Sequence, residues 1–153
     1  MGRILGSLEH FFETDGWNYE QVDDKPVLVM HCNGDNANWR SVAQALEDRE
    51  QAIFYSLCPL NCPEAVRPQM AEFVTRANYG TIIGNFEMDF SDGEIRYKTS
   101  IDVEGVEFVP ELIRSMVYAN CSTLDRYMPG IQKVIAGAAT PEEAVAEVES
   151  AAE

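Results

Sequence analysis

The sequence predicts a single α+β domain built on a mostly antiparallel, five-stranded sheet with helices. At 153 residues, one domain is the default, and the chain is long enough to bury a sizeable core. Hydrophobic residues make up 46% and aromatic residues 10% of the chain, which excludes a disordered or low-complexity protein. Helical and strand-like patterns follow one another in the order α-β-β-β-α-β-β-α. No repeat or interdomain linker interrupts this order.

The first part of the chain predicts one helix and a three-stranded meander. Leu5, Leu8, Phe11 and Phe12 recur at helical spacing, and Asp15-Gly16 ends the run, which is typical of a short amphipathic helix. Three strand-like runs separated by polar turns come next: residues 27–32, 39–47 and 51–58.

A second helix and a hairpin are predicted in the middle of the chain. Met70, Phe73, Val74 and Ala77 form one helical stripe that ends at residues 78–80. Two alternating runs, residues 81–90 and 94–103, then flank a two-residue turn. The turn is Asp92-Gly93, and the predicted cross-strand pairs are Phe90 with Ile95, Met88 with Tyr97, Asp89 with Arg96 and Glu87 with Lys98.

The remaining chain predicts a long helix and a short acidic one. Pro110 opens the long helical pattern, and Pro129-Gly130 predicts a kink or a break within it because an internal proline removes a backbone hydrogen bond. Residues 140–143 combine an N-cap, a first-turn proline and a capping-box glutamate. We therefore assign the α+β domain to residues 1–137 and an acidic C-terminal helix or tail to residues 138–153. Its few apolar positions, Val145 and Val148, predict weak docking at best.

The charge excludes several partners. Lys and Arg number 11 against 26 Asp and Glu, which gives a net charge of −15. Nucleic acids and anionic membranes repel such a surface, so we expect no nucleic-acid or membrane partner, whereas basic partners are favoured. No stretch approaches the roughly 20 consecutive apolar residues of a membrane-spanning helix, and the N-terminus does not resemble a secretory signal. These features predict a cytoplasmic location.

No reactive constellation is evident in the sequence. Cys32, Cys58, Cys62 and Cys121 are expected to be reduced thiols, since the chain is large and leaderless. A zinc site combining Cys58 and Cys62 with His31-Cys32 is a minor alternative, because the spacing differs from that of structural zinc motifs. We predict no catalytic residue, cofactor or metal, and expect the protein not to be an enzyme.

Unusual polar choices mark two places in the chain. The first is the run from Arg76 to Gly80, followed by Gly84-Asn85, and the second is residues 125–127 before Pro129-Gly130. Glycine and asparagine at a helix end have a structural explanation, while exposed polar groups there also suit a binding surface. The candidate binding residues are Arg76, Asn78, Tyr79, Asn85, Asp125 and Arg126.

Most of the chain, from about Phe11 to Gly137, resembles the bacterial YbjN-domain family of sensory-transduction regulators, in the form seen in cyanobacteria. The resemblance lies in residues 39–40, 54–56, 71–80, 83–89, 92–100 and 125–130. It implies a fold similar to type III secretion chaperones, which are small acidic α+β proteins that commonly dimerise and bind extended segments of other proteins. It carries over no catalytic residue.

Together these observations predict a non-catalytic protein-interaction module, chaperone-like or regulatory, that forms a homodimer and binds a protein or peptide partner on its sheet or in a helix groove. The alternative is a regulator that senses a small ligand in a pocket near Arg76, Asn78 and Asn85.

Overall fold

A computed structural model describes residues 2–151 as an antiparallel sheet flanked by helices. The elements follow in this order: α1 (Arg3–Thr14), β1 (Tyr19–Gln21), β2 (Val27–Asn33), β3 (Asn38–Leu46), β4 (Gln51–Leu57), α2 (Arg67–Asn78), β5 (Asn85–Met88), β6 (Ile95–Asp102), α3 (Pro110–Ala136) and α4 (Pro141–Ser150). Short 3-10 turns, Glu47–Arg49 and Glu64–Val66, follow β3 and precede α2. The α+β class is confirmed.

The sheet has six strands in the order β1-β2-β3-β4-β6-β5, and every neighbouring pair is antiparallel. The predicted number, five, is wrong because it omits β1. This strand has only three residues, two of them exposed, so it shows no alternation of buried and exposed positions.

The helices cover one face of the sheet. On β3 the side chains of Trp39, Ser41, Ala43 and Ala45 are buried, and the residues between them are exposed or half-buried. Two groups of buried side chains fill the helical side, one around α1 and the other around α2 and α4, and α3 contributes to both. The opposite face, which includes Arg40, has no helix over it in the described part of the chain.

The hairpin differs from its predicted register. Met88 pairs with Ile95 and Phe86 with Tyr97, a shift of two residues along β5. The shift arises because the turn is longer than Asp92-Gly93: Asp89 N–H donates to the Glu94 carbonyl, and its carboxylate accepts from Ser91. A shift of two preserves which side chains face the core. The end of the predicted strand, Phe90, lies outside β5 and is 58% exposed.

Helix α3 is continuous from Pro110 to Ala136, so of the kink or break predicted at Pro129, the break is wrong. Proline cannot donate to the carbonyl four residues earlier, which belongs to Asp125. The side-chain amide of Asn36 donates to that carbonyl instead, at 2.9 Å. The hydrogen bond that proline removes is thus replaced from the β2–β3 turn, and the helix continues to Ala136.

Helix α4 begins with the predicted capping box between Thr140 and Glu143. Its docking is not weak, because Ala144, Val145 and Val148 are buried among residues of α2 and α3. A close approach to α3 is possible at Gly130, where an added Cβ would lie 3.1 Å from Val148.

Candidate functional site

Asn78, the last residue of α2, covers the outer edge of strand β5. Its side-chain oxygen accepts the Phe86 N–H at 2.7 Å, and its amide nitrogen donates to the Phe86 carbonyl at 3.1 Å. Both backbone groups of Phe86 that point away from β6 are therefore occupied, as a neighbouring strand would occupy them. Asn85 donates to the same carbonyl at 3.1 Å.

The other candidates on this side have different surroundings. Arg76 forms ion pairs with Glu72 at 2.7 Å and with Glu142 at 3.1 Å, and so joins α2 to α4. Tyr79 is 90% exposed, and Ile82 in the following loop is 95% exposed. The structure thus brings Asn78 and Asn85 together on β5, while Arg76 is directed to α4.

Asp125 fastens the β2–β3 turn to helix α3. Its carboxylate accepts the backbone N–H groups of Asp35 at 3.0 Å and Asn36 at 2.8 Å. Gly34 permits this contact, because an added Cβ would lie 2.1 Å from the Asp125 carboxylate. Arg126, the next residue after Asp125, is exposed and lines a separate cavity of about 270 Å³ between α3 and α4. Asp125 and Arg126 therefore do not share a site.

A cleft of about 730 Å³ lies where α1, β1 and β2 meet, and none of the candidate residues lines it. Aromatic rings and charges of both signs line this edge cleft: Glu13, Trp17, Tyr19, Glu20, His31 and Arg40. The Tyr19 hydroxyl donates to Glu13 at 2.6 Å. Burial, and to a lesser extent this bond to a carboxylate, raises the pKa of Tyr19 to about 12. Its hydroxyl therefore remains a hydrogen-bond donor at neutral pH.

Strand β2 extends past its outer neighbour at this cleft. Strand β1 pairs with β2 from Leu28 to Met30, whereas β3 pairs with β2 as far as Asn33. In an antiparallel strand, alternate residues direct their N–H and C=O groups to opposite sides. Since Glu20 lies opposite Val29 and the Val22 N–H donates to the Val27 carbonyl, the backbone groups of His31 and Asn33 are directed to the β1 side. The register places His31 opposite Asn18, the residue before β1, and Asn33 beyond it. An extended chain could pair there.

The four cysteines are free thiols and do not meet as a metal site. Cys32 contacts Cys121, with 3.1 Å between the sulfur atoms, whereas Cys58 contacts the Met128 sulfur at 3.8 Å. Across residues 2–151, no group of three or more His, Cys, Asp or Glu side chains is placed to hold a metal ion. His31 is exposed on the face opposite Cys32, as expected for neighbours on a strand.

The sequence matches, over residues 5–133, the YbjN family model described as "Putative bacterial sensory transduction regulator". The chain belongs to the YbjN family. No curated protein matches the sequence significantly. The helices of the described region include none that is long and apolar enough to cross a membrane.

Solved structures share the fold of this family member. It is similar to YbjN from E. coli, with a TM-score of 0.58, 15% identity and coverage of 79% of this chain and 88% of that chain. The ExsC-ExsE complex gives a TM-score of 0.54 at 15% identity, covering 82% of this chain and 96% of that one. The HopA1-SchA chaperone-effector complex gives a TM-score of 0.50 at 20% identity, covering 79% of this chain and 88% of that one. The predicted YbjN membership and the chaperone-like fold are confirmed.

Proposed function

We propose that this YbjN-family protein is a non-catalytic, cytoplasmic interaction module that binds an extended segment of another protein at the edge cleft. The observation that carries the proposal is the stretch of β2 beyond Met30, which pairs with β3 on one side and faces the cleft on the other. An added strand gains main-chain hydrogen bonds at such an edge, and side-chain pockets give specificity.

The two ends of the sheet differ in their ability to accept a strand. At the β5 end, Asn78 occupies the outward backbone groups of Phe86. At the β1 end, Asn33 directs its backbone groups outward beyond Asn18. Trp17 and Tyr19 line the neighbouring cleft, and their rings would contact apolar side chains of the segment. The net charge of −15 favours a basic segment by long-range attraction.

The similar complexes support a protein partner, since ExsC occurs with ExsE and SchA with the effector HopA1. We propose a homodimer as the functional form, and native mass spectrometry of protein purified gently from its host tests both the dimer and a bound partner. A bare monomer without added mass would contradict the dimer and weaken the partner proposal.

The binding edge is tested with a phage-displayed random peptide library as the probe. Selected peptides should protect the Asn33 amide from hydrogen exchange. The variant Asn33→Pro removes the outward N–H beyond β1 and should weaken binding at least about tenfold. Arg40→Glu, in the cleft, is compared with Arg49→Glu, which makes the same charge change on the exposed turn after β3. We expect only the Arg40 variant to alter peptide affinity. Peptides that instead protect β5 or α4, and bind all variants equally, would refute the assignment.

A small-ligand-sensing regulator with a pocket near Arg76, Asn78 and Asn85 is the second proposal. It has less support, because Arg76 is paired with Glu72 and Glu142 and both asparagines bond to Phe86. A thermal-shift screen with a metabolite library tests it: a ligand whose stabilisation is lost in Arg76→Ala would favour this function.

A further inference from the structure

Two thiols and two hydroxyls meet between the sheet and helix α3. The Cys32 sulfur lies 3.1 Å from the Cys121 sulfur and 3.2 Å from the Ser41 hydroxyl, and Ser41 contacts Ser56 at 3.3 Å. Ser56 closes the ring with a long contact to Cys121 at 4.0 Å. These residues come from β2, β3, β4 and α3, so the ring forms only in the folded chain.

We propose that Cys32 and Cys121 are a site of oxidation by hydrogen peroxide, which joins strand β2 to helix α3 through a disulfide bond. A disulfide requires a sulfur separation of about 2.05 Å, so the two atoms at 3.1 Å need to approach by only about 1 Å. This proposal is independent of the peptide-binding function.

The surroundings of Cys32 favour attack on peroxide. The hydrogen bond from Cys121 lowers the pKa of Cys32, burial opposes this, and the hydrogen bond with Ser41 lowers it further. A more thiolate-like sulfur is the better nucleophile at neutral pH. Cys121 is half-buried, whereas Cys32 is buried, so the pair lies nearest to solvent at Cys121.

The reaction balances in two steps. The Cys32 thiolate attacks one peroxide oxygen and becomes a sulfenic acid, and hydroxide leaves and takes up a proton. The Cys121 sulfur then attacks the Cys32 sulfur, and the second hydroxide leaves with the Cys121 proton as water. In sum, two thiols are oxidised to one disulfide while hydrogen peroxide is reduced to two waters.

The remaining cysteines provide internal controls. Burial raises the pKa of Cys58 to about 11, and its sulfur contacts Met128. Burial also raises the pKa of Cys62, whose sulfur contacts the Pro63 carbonyl. Neither sulfur forms a hydrogen bond with another thiol in the region the structure describes, and burial raises the pKa of both, so these two cysteines should stay reduced.

The test treats the full chain with hydrogen peroxide, quenches it, and alkylates free thiols in denaturant before intact-mass measurement. Wild type, and a variant carrying both Cys58→Ser and Cys62→Ser, should each lose two alkylatable thiols. Because the crosslink spans 89 positions along the chain, oxidation should raise the melting temperature by about 10 °C, reversibly with dithiothreitol.

Cys121→Ser replaces the thiol with a hydroxyl that can keep the hydrogen bonds of the ring but cannot form a disulfide. The variant therefore tests disulfide formation without removing the polar group at this position. In this variant a dimedone adduct should appear on Cys32, with no disulfide and no rise in melting temperature. Cys121→Ala serves as a second variant if the serine form folds poorly. The proposal is overturned if oxidised wild type keeps every thiol, if Cys58 or Cys62 is consumed instead, or if the disulfide joins two chains.

Discussion

Helix α1 depends on a carboxylate from a distant turn, and replacing that residue gives a quantitative test. The residue before the helix, Gly2, provides no side-chain cap. Glu47, in the 3-10 turn after β3, accepts the N–H of Ile4 at 3.0 Å and of Leu5 at 2.8 Å through its two carboxylate oxygens. The Glu47→Ala substitution removes both bonds and leaves the apolar face of the helix unchanged.

The expected loss is about 2 kcal/mol in the free energy of unfolding. Hydrogen bonds to charged groups contribute about 1.5–3 kcal/mol each, but loss of a helix cap costs only about 0.5–2 kcal/mol because water reaches the freed N–H groups. Water has access here because Gly2 and Glu47 are only partly buried. The lost attraction between the carboxylate and the helix dipole, about 0.3–1 kcal/mol, places the total near the upper end of the cap range.

Urea unfolding monitored by circular dichroism measures this loss. With a slope of about 2 kcal/mol per molar urea, the midpoint should fall by about 1 M. Asp48→Ala is the matched control: it removes the same charge from the same turn, and Asp48 is exposed. A difference of less than about 0.5 kcal/mol between the two variants would refute the capping argument.

Two further predictions concern strand β5. Asn78→Ala exposes the outward backbone groups of Phe86. The variant should lose about 1–2 kcal/mol in the free energy of unfolding by urea and should self-associate in analytical ultracentrifugation. A monodisperse variant with wild-type stability would contradict the role of Asn78 in covering the strand edge. For Glu87, burial is the largest influence and raises the pKa, but Lys98 and Arg96 together lower it below its ordinary 4.5. The Glu87 carboxylate therefore stabilises the fold above that value, and the contribution is lost as the pH falls through the folded pKa. At neutral pH, Glu87→Gln should have a free energy of unfolding lower than that of wild type by less than about 1 kcal/mol. This difference should shrink as the pH falls below 4.5, and a difference independent of pH would contradict the reasoning.

Local patterns predicted the elements whose stability depends on nearby residues. The apolar stripe of α1, the meander of β2, β3 and β4, and the capping box of α4 are all present. In each case, spacing along the chain determines which side chains share a face or which groups bond. The same kind of signal located α2 and its end at Asn78.

Features decided by distant residues escaped prediction. The unbroken α3 depends on Asn36, which is remote from Pro129 in sequence, and the tight docking of α4 depends on Gly130. The edge cleft is lined by Trp17, His31 and Arg40, which come from separate segments of the chain, so no local sequence motif predicts it. The contact between Cys32 and Cys121 joins positions 89 apart. Composition and local spacing do not determine contacts between residues that are distant in sequence.

The cap on α1 also has a consequence for biosynthesis. Glu47 follows Ile4 by 43 positions, which at roughly 5–20 residues per second is a delay of about 2–9 s on the ribosome. During that interval the helix lacks both its cap and the strands that cover its apolar side chains, among them Leu8, Phe11 and Phe12. The first segment to leave the ribosome therefore exposes an apolar surface. Factors that bind apolar nascent chains would contact this segment before the rest of the protein covers it.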